Sequence, residues 1–243
     1  MTEQISRASP RLHARIAGLM YLIIIVAGGL DFYSGSALIV WGDAAATAGN
    51  ILASEHLWRL SFAALPVMLA GDVAVGVLFY VLFRPVSTSL ALLGFAFRLV
   101  QTAIQGVNML ARFAPLLLLR DGASPAAFET DQMQALALLS VRLFALGFNV
   151  ALVFFGLDCL VIGWLILRST FLPRFLGMMM AVAGLCYLTN SFADFLFPAL
   201  ALSPYILLPS FLAELALCLW LIVIGVNTEK WKAQASAASG HQV

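Results

Sequence analysis

Three carboxylates, Asp72, Asp158 and Glu214, stand in runs of residues that are otherwise apolar. An acid in such surroundings is costly to ionise, so its presence points to an ion ligand, a proton carrier or the partner of a buried base. A base is at hand in Arg98, which opens the series Arg98, Gln101, Gln105, Asn108 and Arg112. Spacings of 3, 4, 3 and 4 place all five on one helix face. A polar stripe of that length must line a cavity or pack on polar partners. Tyr187, Asn190 and Asp194 make a shorter stripe, and Arg142 and Asn149 share a face with Asp158 nearly opposite.

Other chemistries lack their residues. The histidines, His13, His56 and His241, sit at the chain ends or in a connecting segment, which excludes a bis-histidine haem and an H-E-x-x-H zinc centre. Cys159, Cys186 and Cys218 lie inside apolar segments, are odd in number and form no C-x-x-C pair, so they read as small hydrophobes. No metal and no cofactor is expected. There is no G-x-S-x-G, no phosphate-binding glycine loop and no dinucleotide fingerprint. Asp72 and Asp158 could share a proton as a carboxylate-dependent intramembrane enzyme requires. Neither sits in the glycine context of such proteases, and enzymatic activity is not expected.

The elements that position these groups follow from composition. Of 243 residues, 63% are hydrophobic and 10% charged, against about a quarter charged in soluble proteins. An apolar run of about 20 residues spans the hydrocarbon core as a helix. Six occur, at roughly 16–32, 58–83, 88–111, 138–167, 175–197 and 205–227. The first reads as an uncleaved anchor, since Gly35-Ser36-Ala37 is a poor cleavage site after Asp31. The fold is expected to be all-α, a six-helix transmembrane bundle. If the spans alternate, Arg7, Arg11, Arg15, Arg84, Arg168, Arg174, Lys230 and Lys232 collect on one side. The opposite loops hold Asp43, Glu55, Asp121, Glu129 and Asp131, with Arg120 as their clear base. The basic side is expected to be cytoplasmic, with both termini on it. Residues 1–15 then form a basic cytoplasmic segment, 16–227 a single transmembrane domain, and 228–243 a largely disordered cytoplasmic tail. Pro85 and Pro173 break the chain in short cytoplasmic turns. Asp43 before Ala44-Ala45-Ala46, and Ser124 before Pro125, read as caps of two short helices on the outer face. Gly147-x-x-x-Ala151 and Gly177-x-x-x-Ala181 permit close helix approach.

Several strings carry a resemblance: Ala14-Arg15-Ile16-Ala17-Gly18-Leu19, Gly42-Asp43-Ala44-Ala45-Ala46-Thr47-Ala48 and Arg84-Pro85-Val86. Further along come Phe97-Arg98-Leu99-Val100-Gln101, Phe171-Leu172-Pro173-Arg174, Asn190-Ser191-Phe192, Leu208-Pro209 and Ala213-Glu214-Leu215-Ala216-Leu217. Together these resemble a bacterial multi-pass membrane family catalogued as domain-of-unknown-function family 4386, over about residues 14 to 226. The resemblance implies a bacterial inner-membrane protein and carries no activity over.

Charge counting completes the reading. Arg59, Arg112 and Arg142 fall nearer the outer interface, so at mid-depth three acids meet one base, Arg98. Each ionised group there costs roughly 2.5–3.5 kcal/mol. At least one acid is therefore expected to hold a proton at neutral pH. The polar groups populate the midplane and outer half, while Tyr80, Trp164 and Trp220 mark an apolar inner half. The expected architecture is a recess open outward and plugged inward. Its floor is Asp72, Arg98, Asp158 and Glu214, with Gln101, Gln105, Asn108 and Asn190 above and Arg112, Arg142, Asn149 and Asp194 nearer the mouth. Such a recess would bind or pass a small molecule, ion or lipid. The alternative is a non-catalytic membrane subunit or regulator whose polar faces dock a partner or a second copy. With a net charge of +1, nucleic acid is not expected as a partner.

Overall fold

The structure is a computed structural model and describes residues 9–120, 128–200, 202 and 204–240. Among these the chain forms eight α-helices and no strand. They are α1 (Pro10–Leu38), α2 (Ala44–Ala53), α3 (Glu55–Phe83), α4 (Thr88–Leu119), α5 (Thr130–Arg168), α6 (Arg174–Leu196), α7 (Leu208–Val223) and α8 (Thr228–Gly240). Six are long and apolar enough to cross a membrane, α7 counting with the single 3-10 turn Tyr205–Leu207 that leads into it. The protein is a multi-pass membrane protein.

Most spans outrun the apolar runs that announce them. The run 138–167 lies inside α5, which has 39 residues and is about 58 Å long at 1.5 Å per residue. The apolar run alone, about 45 Å long at that rise, already exceeds a hydrocarbon layer about 30 Å thick, so the helix must tilt or project from it. At its start Glu129 and Gln132 form a reciprocal capping box. Pro85 breaks the chain as expected: α3 stops at Phe83, Pro85 lies in the turn, and Ser87 Oγ accepts from Leu90 N at 3.4 Å to start α4, whereas Pro66 and Pro115 lie inside α3 and α4.

Successive spans pack on one another and α7 returns to α1, so the six close a ring in chain order. The tightest approach joins α5 and α6. A Cβ on Gly163 would lie 2.8 Å from the Gly177 carbonyl oxygen, and one on Gly184 2.6 Å from that of Gly156. The two backbones touch where those Cβ atoms are missing. Gly177 and Ala181 thus approach Gly163, whereas Gly147 gives its space to the Asn108 side chain of α4.

Both ends of the described chain lie on one face, here the terminal face. Arg11 Nε donates to Ile224 O at 3.3 Å across it. On that side the ring interior is filled by Phe79, Phe83, Leu165, Ile166, Leu176 and Leu221, all buried. At the opposite, distal face Asp43 caps α2 by accepting from Ala46 N at 2.8 Å, and Asn50 Nδ2 donates to Leu38 O at 3.2 Å. Ile51 of α2 packs with Trp58, Leu116 and Val141 over that end of the bundle.

One expectation is corrected. Residues 228–240 are not a disordered tail but form α8, capped by Asn227, whose Oδ1 accepts from Lys230 N at 3.0 Å. Trp231 Nε1 donates to Leu82 O at 2.8 Å and Gln234 Oε1 accepts from Thr170 N at 3.0 Å. Composition of the tail gave no hint of this because the docking bonds go to Leu82 at the end of α3 and to Thr170 after α5, far away in the chain. Arg7, Asp121, the Ser124-Pro125 cap and residues 241–243 lie outside the described residues.

Candidate functional site

Six side chains, one from each span, occupy the same depth. Counted from the terminal ends of their helices at about 1.5 Å per residue, Tyr21, Asp72, Arg98, Asp158, Tyr187 and Glu214 lie about 14–20 Å in. A hydrocarbon layer about 30 Å thick that began at those ends would have its middle at this depth. Arg98 is 1% exposed and carries two acids at once. Its Nη1 donates to Asp72 Oδ1 at 2.9 Å, and its Nη2 lies 2.7 Å from Asp158 Oδ2. The rings of Tyr21, Phe79 and Phe155 surround the guanidinium with centroids 5.1–5.8 Å from it, adding cation–π attraction. Two glycines admit the group. A Cβ on Gly76 would meet the Arg98 stem at 3.2 Å, and one on Gly94 would meet Asp158 Oδ1 at 3.2 Å.

Glu214 stands apart from this pair of bridges. It takes a hydrogen bond from the Tyr187 hydroxyl, and the fully buried Tyr21 hydroxyl lies against the same carboxyl. Among the described residues no guanidinium or ammonium pairs with it. The expected single floor of three acids around Arg98 is therefore two subsites, an ion triad and a carboxyl bonded to the Tyr187 phenol. The aspartates also fail to meet as a proton-sharing dyad, since each takes a different guanidinium nitrogen.

Among the described residues, polar side chains lead from this layer toward the distal face. On α4, Gln101 sits beside Asp72 and accepts from Thr102 at 3.2 Å. Gln105 is buried, and Asn108 Nδ2 donates to Gln105 Oε1 at 3.1 Å and to Phe144 O at 2.9 Å. Arg112 leaves the file for a lock of its own. It binds Asp31 at 2.8 Å and Ser34 Oγ at 2.7 Å, with its guanidinium 3.7 Å from the ring centre of Trp58. On α6 the stripe climbs from Tyr187 through buried Asn190, which donates to Asn149 Oδ1 at 3.2 Å. Asn149 Nδ2 in turn donates to Asp194 Oδ2 at 2.8 Å. Ser191 on the same helix is buried, and its hydroxyl has no hydrogen-bond partner among the described residues.

The α6 file ends at a cavity of about 560 Å³ in the distal face, lined by Phe32, Trp41, Arg142, Ala145, Leu146, Asn149, Asp194 and Pro204. The midplane residues do not line it. Sequence reasoning singled out Arg142, Asn149 and Asp194 but not Phe32 and Trp41, which come from α1 and the loop after it. It also left out Tyr21 and the Asp31 partner of Arg112. Tyrosine and an interfacial aspartate are ordinary in membrane helices, so only the closing of the ring reveals what they face.

Comparison with known proteins gives one family and one distant relative. An archaeal protein of Archaeoglobus fulgidus, described as uncharacterized, is 25% identical over 154 residues, 63% of this chain and 76% of its own length. No solved structure matches. The model of the family described as domain of unknown function DUF4386 matches residues 16–225, nearly the whole transmembrane region, and the chain belongs to that family.

Proposed function

We propose that the protein takes up a small molecule, ion or lipid from the distal face and couples this to a proton held in its midplane layer. Arg11, Arg15, Arg84, Arg168, Arg174, Lys230 and Lys232 belong to the terminal face, which on the positive-inside rule is cytoplasmic. The distal face then opens outward from the inner membrane. One observation carries the reading: all six spans place a polar side chain at one depth, and among the described residues polar files lead from that layer toward the distal face. Holding helix register needs one bonded pair. Two buried aspartates on one guanidinium exceed that need, and Glu214, which has no ion-pair partner among the described residues, is the candidate carrier of the proton. Relays of this kind, acids and hydroxyls facing a bundle interior, mark proton and solute paths in membranes.

The test is water access at Gln105. In a chain whose Cys159, Cys186 and Cys218 are replaced by alanine, a cysteine at position 105 should react with a membrane-impermeant thiol reagent added from the outer side. Infrared difference spectra between mild acid and mild alkali should show a protonated carboxyl that Glu214→Gln removes. The tight closure of Arg98 between two aspartates favours a second reading, a non-catalytic subunit or regulator in which the triad only fixes the fold. An unreactive position 105 together with no protonated carboxyl would establish that second reading instead.

A further inference from the structure

The distal cavity joins two opposite charges that do not pair with each other. Among the described residues Arg142 has no ion-pair partner, and Asp194 is bonded only through Oδ2 to Asn149. Arg142 and Asp194 nevertheless line the same space, with the rings of Phe32 and Trp41 and the side chain of Leu146 as its apolar wall. Depth adds a constraint. Asp194 lies about 30 Å along α6 from Arg174, and Asn149 about 28 Å along α5 from Arg168, which puts both at the edge of the hydrocarbon core. Tyr33, Trp41 and Tyr205 are all more than half exposed around the distal ends, as aromatic side chains are at a membrane–water boundary.

We propose that this cavity binds an amphipathic zwitterion, a molecule with a primary ammonium and an anionic group attached to an apolar body. The Arg142 guanidinium takes the carboxylate or phosphate, since its fork matches either oxyanion. The free Asp194 oxygen takes the ammonium, which donates where a carboxylate can only accept. Phe32, Trp41 and Leu146 cover the apolar part. A simple cation would leave Arg142 facing it, and a simple anion would face Asp194; a ligand with both charges satisfies both. Asn149 then ties the ammonium end of the site to Asn190 and the α6 file. The inference rests on the reading that the distal recess takes up a ligand, and it names the class. The same chemistry is offered by a free apolar amino acid and by a phosphatidylethanolamine headgroup.

The experiment titrates the full chain in detergent, following tryptophan fluorescence with Trp41→Phe as the reference. The probes are phenylalanine and a short-chain phosphatidylethanolamine. Their counterparts with one charge removed are N-acetylphenylalanine, phenethylamine and a short-chain phosphatidylglycerol. Saturable binding of either zwitterion is expected, with the charge-deleted counterparts weaker by about tenfold or more, the size of a lost charged hydrogen bond. Arg142→Gln should weaken both zwitterions, and Asp194→Asn should erase the preference for the ammonium. Phenylalanine binding identifies a solute site; binding of the phosphatidylethanolamine alone identifies a headgroup site. The proposal is overturned if neither zwitterion saturates, or if the charge-deleted probes bind equally well to the unmodified chain. Because those analogues are tested on the unmodified chain, the outcome does not depend on either variant folding. Loss of zwitterion binding while position 105 is still labelled from outside sinks this inference and leaves the uptake reading standing.

Discussion

Arg98 holds its place through two carboxylates and three rings, and the consequence of removing it differs from that of removing either acid. Arg98→Leu leaves Asp72 and Asp158, 3% and 1% exposed, with no base between them. Breaking a buried pair from one side costs about 3–5 kcal/mol, and here two acids lose their partner. Asp158→Asn or Asp72→Asn alone leaves a neutral one-to-one pair, and the amide can still accept from the guanidinium. Thermal unfolding in nanodiscs should therefore rank Arg98→Leu as clearly the most damaging. The combination of Arg98→Leu with Asp72→Asn and Asp158→Asn should recover part of the loss. Equal losses for all three single changes, with no recovery, would mean that the triad is not one coupled unit. Glu214 behaves separately: Glu214→Gln keeps an acceptor for Tyr187 and should cost little stability, since it removes no ion pair.

The helices owe their mutual distances to the side chains they lack. Gly163 and Gly177 sit where each backbone touches the other helix, whereas Gly29 on α1 has nothing within 4 Å of an added Cβ. Gly163→Val and Gly177→Val should force α5 and α6 apart and lower the unfolding temperature strongly, at a cost at or above the usual 1–3 kcal/mol of overpacking. Gly29→Ala fills open space and gains helix propensity of up to about 1 kcal/mol, so it should be neutral or stabilising. Melting curves of the three variants check this, and indifference at Gly177 would contradict the close approach. The contrast also shows how far these elements are legible. Span number follows from hydropathy, and the α4 stripe from Arg98 to Arg112 follows from spacing alone. The partition of that stripe does not. Whether Arg112 faces Arg98's acids or Asp31 depends on where α1 crosses, and the docking of α8 depends on Trp231 finding the Leu82 carbonyl at the end of α3, far away in the chain. Local pattern says which residues cannot face lipid; it is silent on which partner each one meets.

For the molecule as a whole, polar files on the distal side of the midplane layer and an aromatic and aliphatic fill on its terminal side make orientation bear on the proposed function. The aromatic and aliphatic fill around Phe79, Phe83, Leu165 and Leu221 lies between the midplane layer and the terminal face, and α8 is fastened over that side by Trp231. If the basic terminal face is cytoplasmic, the cavity at the end of the α6 file meets the outside and the apolar fill faces the cell interior. Reporter fusions after Arg84 and after Lys232 should then both read cytoplasmic, and a fusion near Ser124 should read external. Basic residues set this choice more than acidic ones do, and they act through loops close to the span ends. The short connections at Arg84–Ser87 and Arg168–Arg174 carry three of them, while Arg59 and Arg120 at the distal ends are paired to Glu55 at 2.5 and 3.0 Å. Replacing Arg84, Arg168 and Arg174 together by glutamine should erode the bias, with a fraction of the Ser124 fusion turning cytoplasmic. A carboxyl end that reads external in the unaltered chain would reverse the molecule. The cavity of Arg142 and Asp194 would then open to the cytoplasm, and any ligand would have to be sought there.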